Sequence, residues 1–123
     1  MEFNQPKGIY LQIADQIRDR ILQGEWAEGE RIPSIRELAV SLGVNPNTVT
    51  KSYQALTDRE IIANQRGLGY FVAEGARKTI LREIKDEFVS EELPRVFRTM
   101  TLLEMSIDEL ADHYVRNNGR KQP

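Results

Sequence analysis

The sequence contains no cysteine and only one histidine among its 123 residues. A disulfide framework, a thiol nucleophile and a cysteine-based zinc site are therefore excluded. His113 alone would need several carboxylates beside it to hold a metal, so we interpret it as a structural or exposed side chain. The N-terminal segment lacks the charged and apolar regions of a signal peptide, and no apolar run approaches membrane-spanning length. We therefore expect a cytoplasmic protein without a metal or other cofactor.

The sequence also lacks an excess of basic residues, since its formal net charge is −2. This charge argues against a protein that coats nucleic acid indiscriminately. A locally positive face needs only a few cations, which Arg31, Arg36, Lys51 and Arg66 could supply. Catalytic signatures are missing too, because the chain has no nucleophile elbow, phosphate-binding glycine loop or paired His-Glu metal motif. We therefore expect no enzymatic activity.

Two short helices joined by a tight turn are predicted in the first half of the chain. Ser34 begins the first of them, because Glu37 follows at the capping-box spacing. Gly43 ends that helix in a left-handed residue. Asn45 and Pro46 then begin the second helix, as an N-cap and a first-turn proline. This arrangement is typical of a helix-turn-helix, in which the second helix presents its first turns to the major groove of DNA.

The second of these helices has two unlike faces. Val49, Tyr53 and Leu56 recur at helical spacing and are predicted to face a core. The opposite side carries polar residues that can hydrogen-bond bases or phosphates. These polar residues are Asn47, Thr48, Thr50, Lys51 and Gln54.

A β-hairpin is predicted to follow the two helices. The runs Ile-Ile-Ala and Tyr-Phe-Val have the composition of short strands, and residues 64–69 between them have that of a turn. Arg66 lies in this turn beside Gly67 and Gly69, where the lack of side chains would let the backbone approach a phosphate. We interpret the hairpin as the wing of a winged helix.

A longer amphipathic helix is predicted before this motif, from about Ile9 to Gln23, and Gly24 ends it. We interpret Trp26, in the connector that follows, as a packing lid rather than a platform for a ligand. Arg31 and Ile32 are expected to be extended, because the residue before a proline is pushed out of the helical conformation.

The last part of the chain has a helical apolar pattern that predicts two or three amphipathic helices. Pro94 either kinks one of these helices or begins another, because an interior proline costs about 3 kcal/mol. Ser106 and Glu109 repeat the capping-box spacing, which predicts that a final helix begins there.

The apolar stripe of this tail is too short to form its own core around a ligand pocket. A second copy of the chain is its expected partner, since two-fold dimers are the commonest soluble assemblies. The alternative is that the stripe folds back on the chain's own first domain. The predicted dimerisation residues are Ile80, Leu81, Ile84, Phe88, Val96, Phe97, Met100, Leu103, Leu110 and Tyr114.

Several sequence anchors occur in the order and at the separations of a known family. The run LQIADQIRDRILQGEWAEGERIPSIRELAVSLGVNPNTVTKSYQAL, followed by RGLGYFV, resembles the DNA-binding domain of the GntR superfamily of bacterial transcription regulators. The Asn-Pro-Asn-Thr-Val turn and the short tail are similar to its YtrA-like branch. The resemblance implies that Arg31 and Ile32 pair with the wing as a third strand, and that Arg36 contacts DNA.

The resemblance also shows where this chain departs from the family pattern. Many members carry arginines where this chain has Pro46 and Thr50, and those arginines read bases. The expected base contacts therefore shift toward Asn47, Lys51 and Gln54. The predicted DNA-binding residues are Arg31, Ser34, Arg36, Asn45, Asn47, Thr48, Thr50, Lys51, Gln54, Arg66, Gly67 and Gly69.

Together these patterns predict a mainly α fold with a small β-hairpin. Residues 1–75 are expected to form a winged helix-turn-helix DNA-binding domain, and residues 76–123 a helical dimerisation tail. The predicted function is that of a homodimeric regulator, most simply a repressor, which binds a palindromic operator in double-stranded DNA. Its third helix would enter the major groove, and its wing would lie on the flanking backbone or minor groove. The alternative is a winged helix used for protein contacts without specific DNA binding.

Overall fold

The computed structural model describes residues 8–119 of the chain. These residues form six α-helices, a π-helical segment and one two-stranded antiparallel sheet. The elements in chain order are α1 (Ile9–Leu22), α2 (Ile35–Leu42), α3 (Pro46–Asp58), β1 (Ile62–Gln65), β2 (Gly69–Val72), α4 (Ala76–Glu87), the π-helical segment Phe88–Glu92, α5 (Leu93–Leu103) and α6 (Ile107–Asn118). The predicted fold class, mainly α with a small hairpin, is confirmed.

The local signals predicted for α2 and α3 are present in the structure. The hydroxyl of Ser34 accepts a bond from the backbone N–H of Glu37, whose carboxylate accepts one from the N–H of Ser34. Gly43 ends α2 with a φ of 68°, a left-handed conformation that glycine adopts without a steric penalty. The side chain of Asn45 accepts a bond from the N–H of Asn47, and a proline opens α3. The capping box and both boundaries of the turn are confirmed.

The core of the winged helix lies where α1, α2, α3 and the hairpin meet. Its side chains come from the predicted apolar stripes, and each is at most 4% exposed: Ile13, Ala14, Ile17, Ile21, Leu38, Ala39, Val49, Tyr53, Leu56, Ile61, Ile62 and Val72. Trp26 is 9% exposed, and the guanidinium of Arg20 lies 5.2 Å from its ring centroid. The interpretation of Trp26 as a packing residue is therefore confirmed.

The segment before Pro33 pairs with the wing. The N–H of Ile32 donates to the carbonyl of Tyr70, and the N–H of Val72 donates to the carbonyl of Glu30, both at 2.9 Å. Arg31 forms an antiparallel bridge with Phe71 between these two bonds. The extended segment that the family resemblance implied is present, as a single bridge rather than a full strand.

The structure shows how the helical backbone accommodates Pro94. α4 continues into the π-helical segment Phe88–Glu92, and Pro94 lies in the first turn of α5. Glu92 and Leu93, which precede the proline, both have right-handed helical dihedral angles, so the helical backbone passes the proline without a break. α5 ends at Glu104, whose φ is 56°. Of the capping box predicted for α6, the serine half forms, with Ser106 Oγ accepting the N–H of Glu109 at 3.1 Å.

The chain divides into two compact units, one ending at Glu83 and the next beginning at Ile84. α4 therefore contributes its first two turns to the first unit, where Ala76 and Ile80 are both 0% exposed. The boundary predicted from sequence, between residues 75 and 76, lies at the beginning of that helix.

Candidate nucleic-acid interface

The central feature of the site is the helix α3, whose two faces differ as predicted. Val49, Tyr53 and Leu56 are each 0% exposed. On the opposite side Asn47, Thr50, Lys51 and Gln54 are exposed, and Thr48 is half-buried. The apolar face thus fixes the helix on the core while the polar face stays open to solvent.

The exposed polar side chains of α3 differ in how much they are engaged within the chain. Thr50 Oγ1 donates to the carbonyl of Pro46 at 3.0 Å, and Gln54 Nε2 donates to Asp58 Oδ1 at 3.0 Å. Among the described residues, the side-chain amide of Asn47 and the ammonium of Lys51 form no hydrogen bond or ion pair. Asn47 and Lys51 can therefore bind a ligand without first breaking an internal bond.

The predicted residues at the helix entrances have structural roles. The Ser34 hydroxyl and the Asn45 side chain are half-buried and exposed, respectively, and each accepts a capping bond from a backbone N–H. Arg36 is exposed on α2. The backbone N–H and the hydroxyl of Ser34 both hydrogen-bond to the Glu37 carboxyl and lower its pKa. The positive charge of Arg31 lowers this pKa further.

The wing carries the remaining predicted residues. Arg66 and Gly67 are exposed in the turn between the strands, and Gly67 has a φ of 80°. Gly69 opens β2 with a φ of 114°, and the side chain of Arg31 lies against it. Leu68, at the same turn, is 63% exposed, and the sequence analysis did not single it out.

Two buried polar groups hold α3 in place. Ser52, which is 0% exposed, donates its hydroxyl to the carbonyl of Tyr10 at 2.6 Å. The hydroxyl of Tyr53 donates to the carbonyl of Pro33 at 2.6 Å, and its ring meets that of Tyr70 edge to face, with centroids 4.8 Å apart. Burial raises the pKa of Tyr53, so its hydroxyl stays protonated and continues to donate. Ser52 was missed, although its place three residues after a buried valine is a usable signal.

A carboxylate on α4 joins three helices of the first unit. Glu83 accepts hydrogen bonds from Arg59 Nε at 3.0 Å and Nη2 at 2.6 Å, and from Arg18 Nη1 at 3.2 Å. Arg59 is the C-cap of α3, and Arg18 lies on α1 with only 5% exposure. The bonds from Arg59 lower the pKa of Glu83 most, with a further contribution from Arg18. This cluster was not predicted, and nothing in the local sequence marks it.

A second missed carboxylate caps the beginning of α4. Glu28 accepts the backbone N–H of Gly75 at 2.8 Å and that of Arg77 at 3.1 Å. These two bonds, led by that of Gly75, lower the pKa of the Glu28 carboxyl. Because Glu28 lies 47 residues before Gly75, no local pattern could have indicated this cap.

The predicted dimerisation residues fall into three groups. Leu81, Phe88, Val96, Phe97, Leu103 and Tyr114 are exposed, while Ile84 and Leu110 are half-buried. Ile80 is 0% exposed and Met100 is 7% exposed. Side chains buried in their own chain cannot contact a second copy, so the structure corrects the prediction for Ile80 and leaves Met100 almost no free surface.

Of the exposed residues predicted for dimerisation, Phe88, Val96 and Tyr114 line a groove of about 840 Å³ in the second unit. Its walls come from the π-helical segment, α5 and α6, and its lining is mostly apolar. Ile107 and Val115 also line the groove and are 62% and 63% exposed, while Leu102, outside its lining, is 84% exposed. Apolar surface of this extent is typical of a site where another molecule binds.

The described residues do not bring metal-binding side chains together. Among them, no group of three or more His, Cys, Asp or Glu side chains is placed to hold a metal ion. His113 is exposed, and its Nδ1 lies 3.3 Å from Arg116 Nη2. No helix in the described part of the chain is long and apolar enough to cross a membrane.

Three features of the first unit together define its class of protein. They are a capped helix pair with a left-handed glycine between the two helices, an open polar face on the second helix, and a hairpin that follows it. These features belong to the winged helix-turn-helix DNA-binding proteins, in which the second helix of the pair reads the major groove.

Comparison with known proteins gives the family. Residues 9–72 match the family described as "Bacterial regulatory proteins, gntR family", and this match spans more than half of the chain. The chain belongs to the GntR family and is a DNA-binding transcription regulator.

Similar proteins agree with this assignment along most of the chain. The HTH-type transcriptional regulator YhcF of Bacillus subtilis is 38% identical over 111 residues, which are 90% of each chain. The HTH-type transcriptional repressor YtrA of the same organism is 41% identical over 88 residues, covering 72% of this chain and 67% of YtrA. The similarity to YtrA supports membership of the YtrA-like branch.

Solved structures extend the comparison to the fold. A GntR-family transcriptional regulator from Bacteroides thetaiotaomicron has a TM-score of 0.80 and 45% identity, covering 94% of this chain and 100% of that one. The DNA-binding domain of AraR, in complex with operator ORR3, has a TM-score of 0.51 and 29% identity. That comparison covers 59% of this chain and 95% of the AraR chain.

Proposed function

We propose that this regulator is a homodimeric repressor that binds a palindromic operator. In this proposal α3 enters the major groove, and the wing lies on the flanking backbone or minor groove. The observation that carries it is the exposed polar side of α3, which the buried Val49, Tyr53 and Leu56 hold outward. The AraR domain seen with its operator is a similar fold in contact with DNA, which supports the same use here.

The residues proposed to contact DNA divide by chemistry. Asn47 and Gln54 carry amides that can read adenine through two hydrogen bonds, so we assign them to bases. The cations are assigned to phosphates, since phosphate contacts position a protein on the duplex. The cations are Arg31, Arg36, Lys51 and Arg66, and the remaining proposed contacts are Ser34, Asn45, Thr48, Thr50, Gly67 and Gly69.

We assign dimerisation to the tail, residues 76–123, and DNA binding to residues 1–75. The exposed apolar side chains around the groove of the second unit would be covered by the same surface of a second copy. After the corrections above, the proposed contacts are Leu81, Ile84, Phe88, Val96, Phe97, Leu103, Leu110 and Tyr114. Two winged helices held together in this way can read both halves of a palindrome.

Oligomeric state tests the dimer directly. Val96→Asp places a charge on the exposed apolar surface of α5, and we expect it to convert the dimer into a monomer. Arg98→Asp, exposed on the opposite side of the same helix, is the matched control and should remain dimeric. Light scattering coupled to size exclusion at micromolar concentration gives the mass. A monomeric wild-type protein would overturn this part of the proposal.

Selection of bound duplexes from a random pool tests operator recognition. The expected winners are palindromic, with half-sites separated by about one helical turn or a multiple of it. Their affinity should fall steeply as salt rises, because bound phosphates release counterions. A wild-type protein with no salt-dependent affinity for any duplex would refute the proposal in favour of a protein-binding role.

Repression by occlusion requires binding alone. The proposal therefore includes no catalytic step and no cofactor, and it places the protein with the bacterial chromosome in the cytoplasm. The assignment as a repressor is supported by the similarity to YtrA, which is itself described as a repressor. Transcription from a reporter that carries the selected operator should rise when the gene is deleted, and unchanged transcription would contradict the assignment.

A further inference from the structure

The side chain of Arg31 runs along the wing toward its tip. Arg31 bridges Phe71 in the backbone, yet its guanidinium lies against Gly69, two residues nearer the turn. Two residues along an antiparallel strand correspond to about 7 Å. The guanidinium of Arg31 therefore lies closer to the tip of the wing than its own backbone does, on the side of the exposed Arg66.

This path exists only because residue 69 has no side chain. A Cβ built on Gly69 would lie 2.9 Å from Arg31 Nε, 3.5 Å from Nη2 and 3.6 Å from Cζ. The first of these distances is shorter than a carbon and a nitrogen tolerate, so any other residue would displace the guanidinium. Gly69 also has a φ of 114°, which is itself unfavourable for a residue with a side chain.

Gly67 provides a contrast within the same turn. Its φ is 80°, so it too requires glycine for conformational reasons, but a Cβ there would meet no atom within 4 Å. A side chain at residue 69 would therefore collide with Arg31, whereas one at residue 67 would not.

The charge of Arg31 is available to an anion. Its side chain is exposed, and among residues 8–119 it forms no ion pair, although the Glu37 carboxylate interacts with it electrostatically. A guanidinium can bind a phosphate through two parallel hydrogen bonds when its plane is fixed. Contact with the bare backbone at Gly69 restricts the Arg31 side chain before binding, so less side-chain freedom is lost on binding.

We infer that Gly69 is a positioning residue, which seats the Arg31 guanidinium on the wing so that Arg31 and Arg66 together bind backbone phosphates. This inference rests on the proposed operator binding. The sequence predicted that Gly69 lets DNA approach the backbone. In this inference Gly69 instead acts by positioning the side chain of Arg31.

A double-mutant cycle tests the inference. The wild type, Gly69→Ala, Arg31→Ala and the double variant are compared for affinity toward the selected duplex between about 50 and about 200 mM salt. We expect Arg31→Ala to weaken binding roughly three- to tenfold and to reduce the slope of log affinity against log salt by about 0.9, the value for one phosphate. In the wild type Gly69→Ala should reduce the salt slope by the same amount, and in the Arg31→Ala background it should reduce the slope no further.

The control variant is Gly67→Ala, which adds the same methyl at a left-handed residue without a collision. It is expected to keep the wild-type salt slope even if its stability falls. Additive losses in the cycle, or an unchanged salt slope in Arg31→Ala, would overturn the inference.

Chemical denaturation of the same four proteins covers the case in which Gly69→Ala folds poorly. If Arg31 occupies the space of the added methyl, Arg31→Ala should restore part of the lost stability. An equal stability loss in both backgrounds would refute the seating of Arg31 on Gly69. If wild-type protein binds no duplex, the proposed function fails, and this stability comparison still tests the seating by itself.

Discussion

Replacing Glu83 by glutamine should destabilise the winged helix, because this carboxylate is the common acceptor for two arginines. The variant keeps the size of the side chain and one acceptor oxygen, but it loses the charge that bonds Arg59 twice and Arg18 once. Hydrogen bonds to charged groups contribute about 1.5–3 kcal/mol each, and one acceptor survives in glutamine. The Glu83 side chain is 24% exposed, so solvent screening reduces the sum. We expect a loss of about 2 kcal/mol at neutral pH.

Part of this loss comes from the arginine left behind. Arg18 is 5% exposed, and besides Glu83 at 3.2 Å it has Asp15 as a more distant carboxylate neighbour at 3.7 Å. A buried cation that loses one carboxylate partner retains the penalty of leaving water but loses part of the compensating attraction. The loss should therefore exceed that of an ordinary surface ion pair, which is worth about 0–1 kcal/mol.

The stability difference between wild type and Glu83→Gln should depend on pH, whereas a difference caused by lost packing would not. The pKa of Glu83 in the folded protein lies below its ordinary value of 4.5, so its contribution is complete above that value and disappears as pH falls through the folded pKa. The difference between wild type and Glu83→Gln should thus be largest at neutral pH and vanish in acid. Glu28 and Glu37, whose pKa values are also lowered, are present in both proteins and cancel in the difference.

Urea denaturation, followed by the fluorescence of Trp26, measures the effect. Trp26 is the single tryptophan of the chain and is buried in the winged helix. Protein concentration must be held constant, since association would stabilise the folded state. Glu74→Gln is the matched control, because Glu74 is exposed and forms no hydrogen bond in the described residues. Equal midpoints for the two variants at pH 7, or a difference that persists in acid, would refute this reasoning.

Three other substitutions have defined outcomes. Tyr53→Phe removes the donor to the Pro33 carbonyl and should lower the free energy of unfolding by about 1–2 kcal/mol, measured by urea denaturation; an unchanged value would contradict the role of this bond. Asn47→Ala should reduce discrimination between operator and random duplex by about 1–3 kcal/mol in competition binding. Lys51→Ala should weaken both duplexes equally and flatten the salt slope by about 1. Equal losses on both duplexes for Asn47→Ala, or a selective loss for Lys51→Ala, would count against the assigned roles.

The elements that the sequence predicted well are those with local causes. The capping box at Ser34, the left-handed Gly43 and the first-turn proline of α3 each act within four residues, so their pattern is legible in the chain itself. The two faces of α3 were predictable for the same reason, since helical spacing alone separates Val49 from Lys51.

The features that were missed depend on residues that meet only in the folded chain. Arg59 and Arg18 lie 24 and 65 residues from Glu83, and in a sequence an ion-paired glutamate looks like a solvated one. Ile80 shows a related limit. Its helical spacing correctly indicates an apolar face, but periodicity does not say whether that face meets its own chain or a second copy. The support of Arg31 by Gly69 was hidden because it requires the strand pairing as well as the glycine.

The packing around Tyr53 has a consequence for the energetics of operator binding. Tyr53 belongs to α3, and its hydroxyl donates to the Pro33 carbonyl just before α2. Its ring also contacts the ring of Tyr70 in β2. Because Tyr53 joins α2, α3 and the hairpin, these elements are already held together before the protein reaches the duplex. The hairpin would therefore lose little conformational freedom once α3 has docked. Mutants that loosen this junction should consequently dissociate faster from the operator even though no residue facing the DNA has changed.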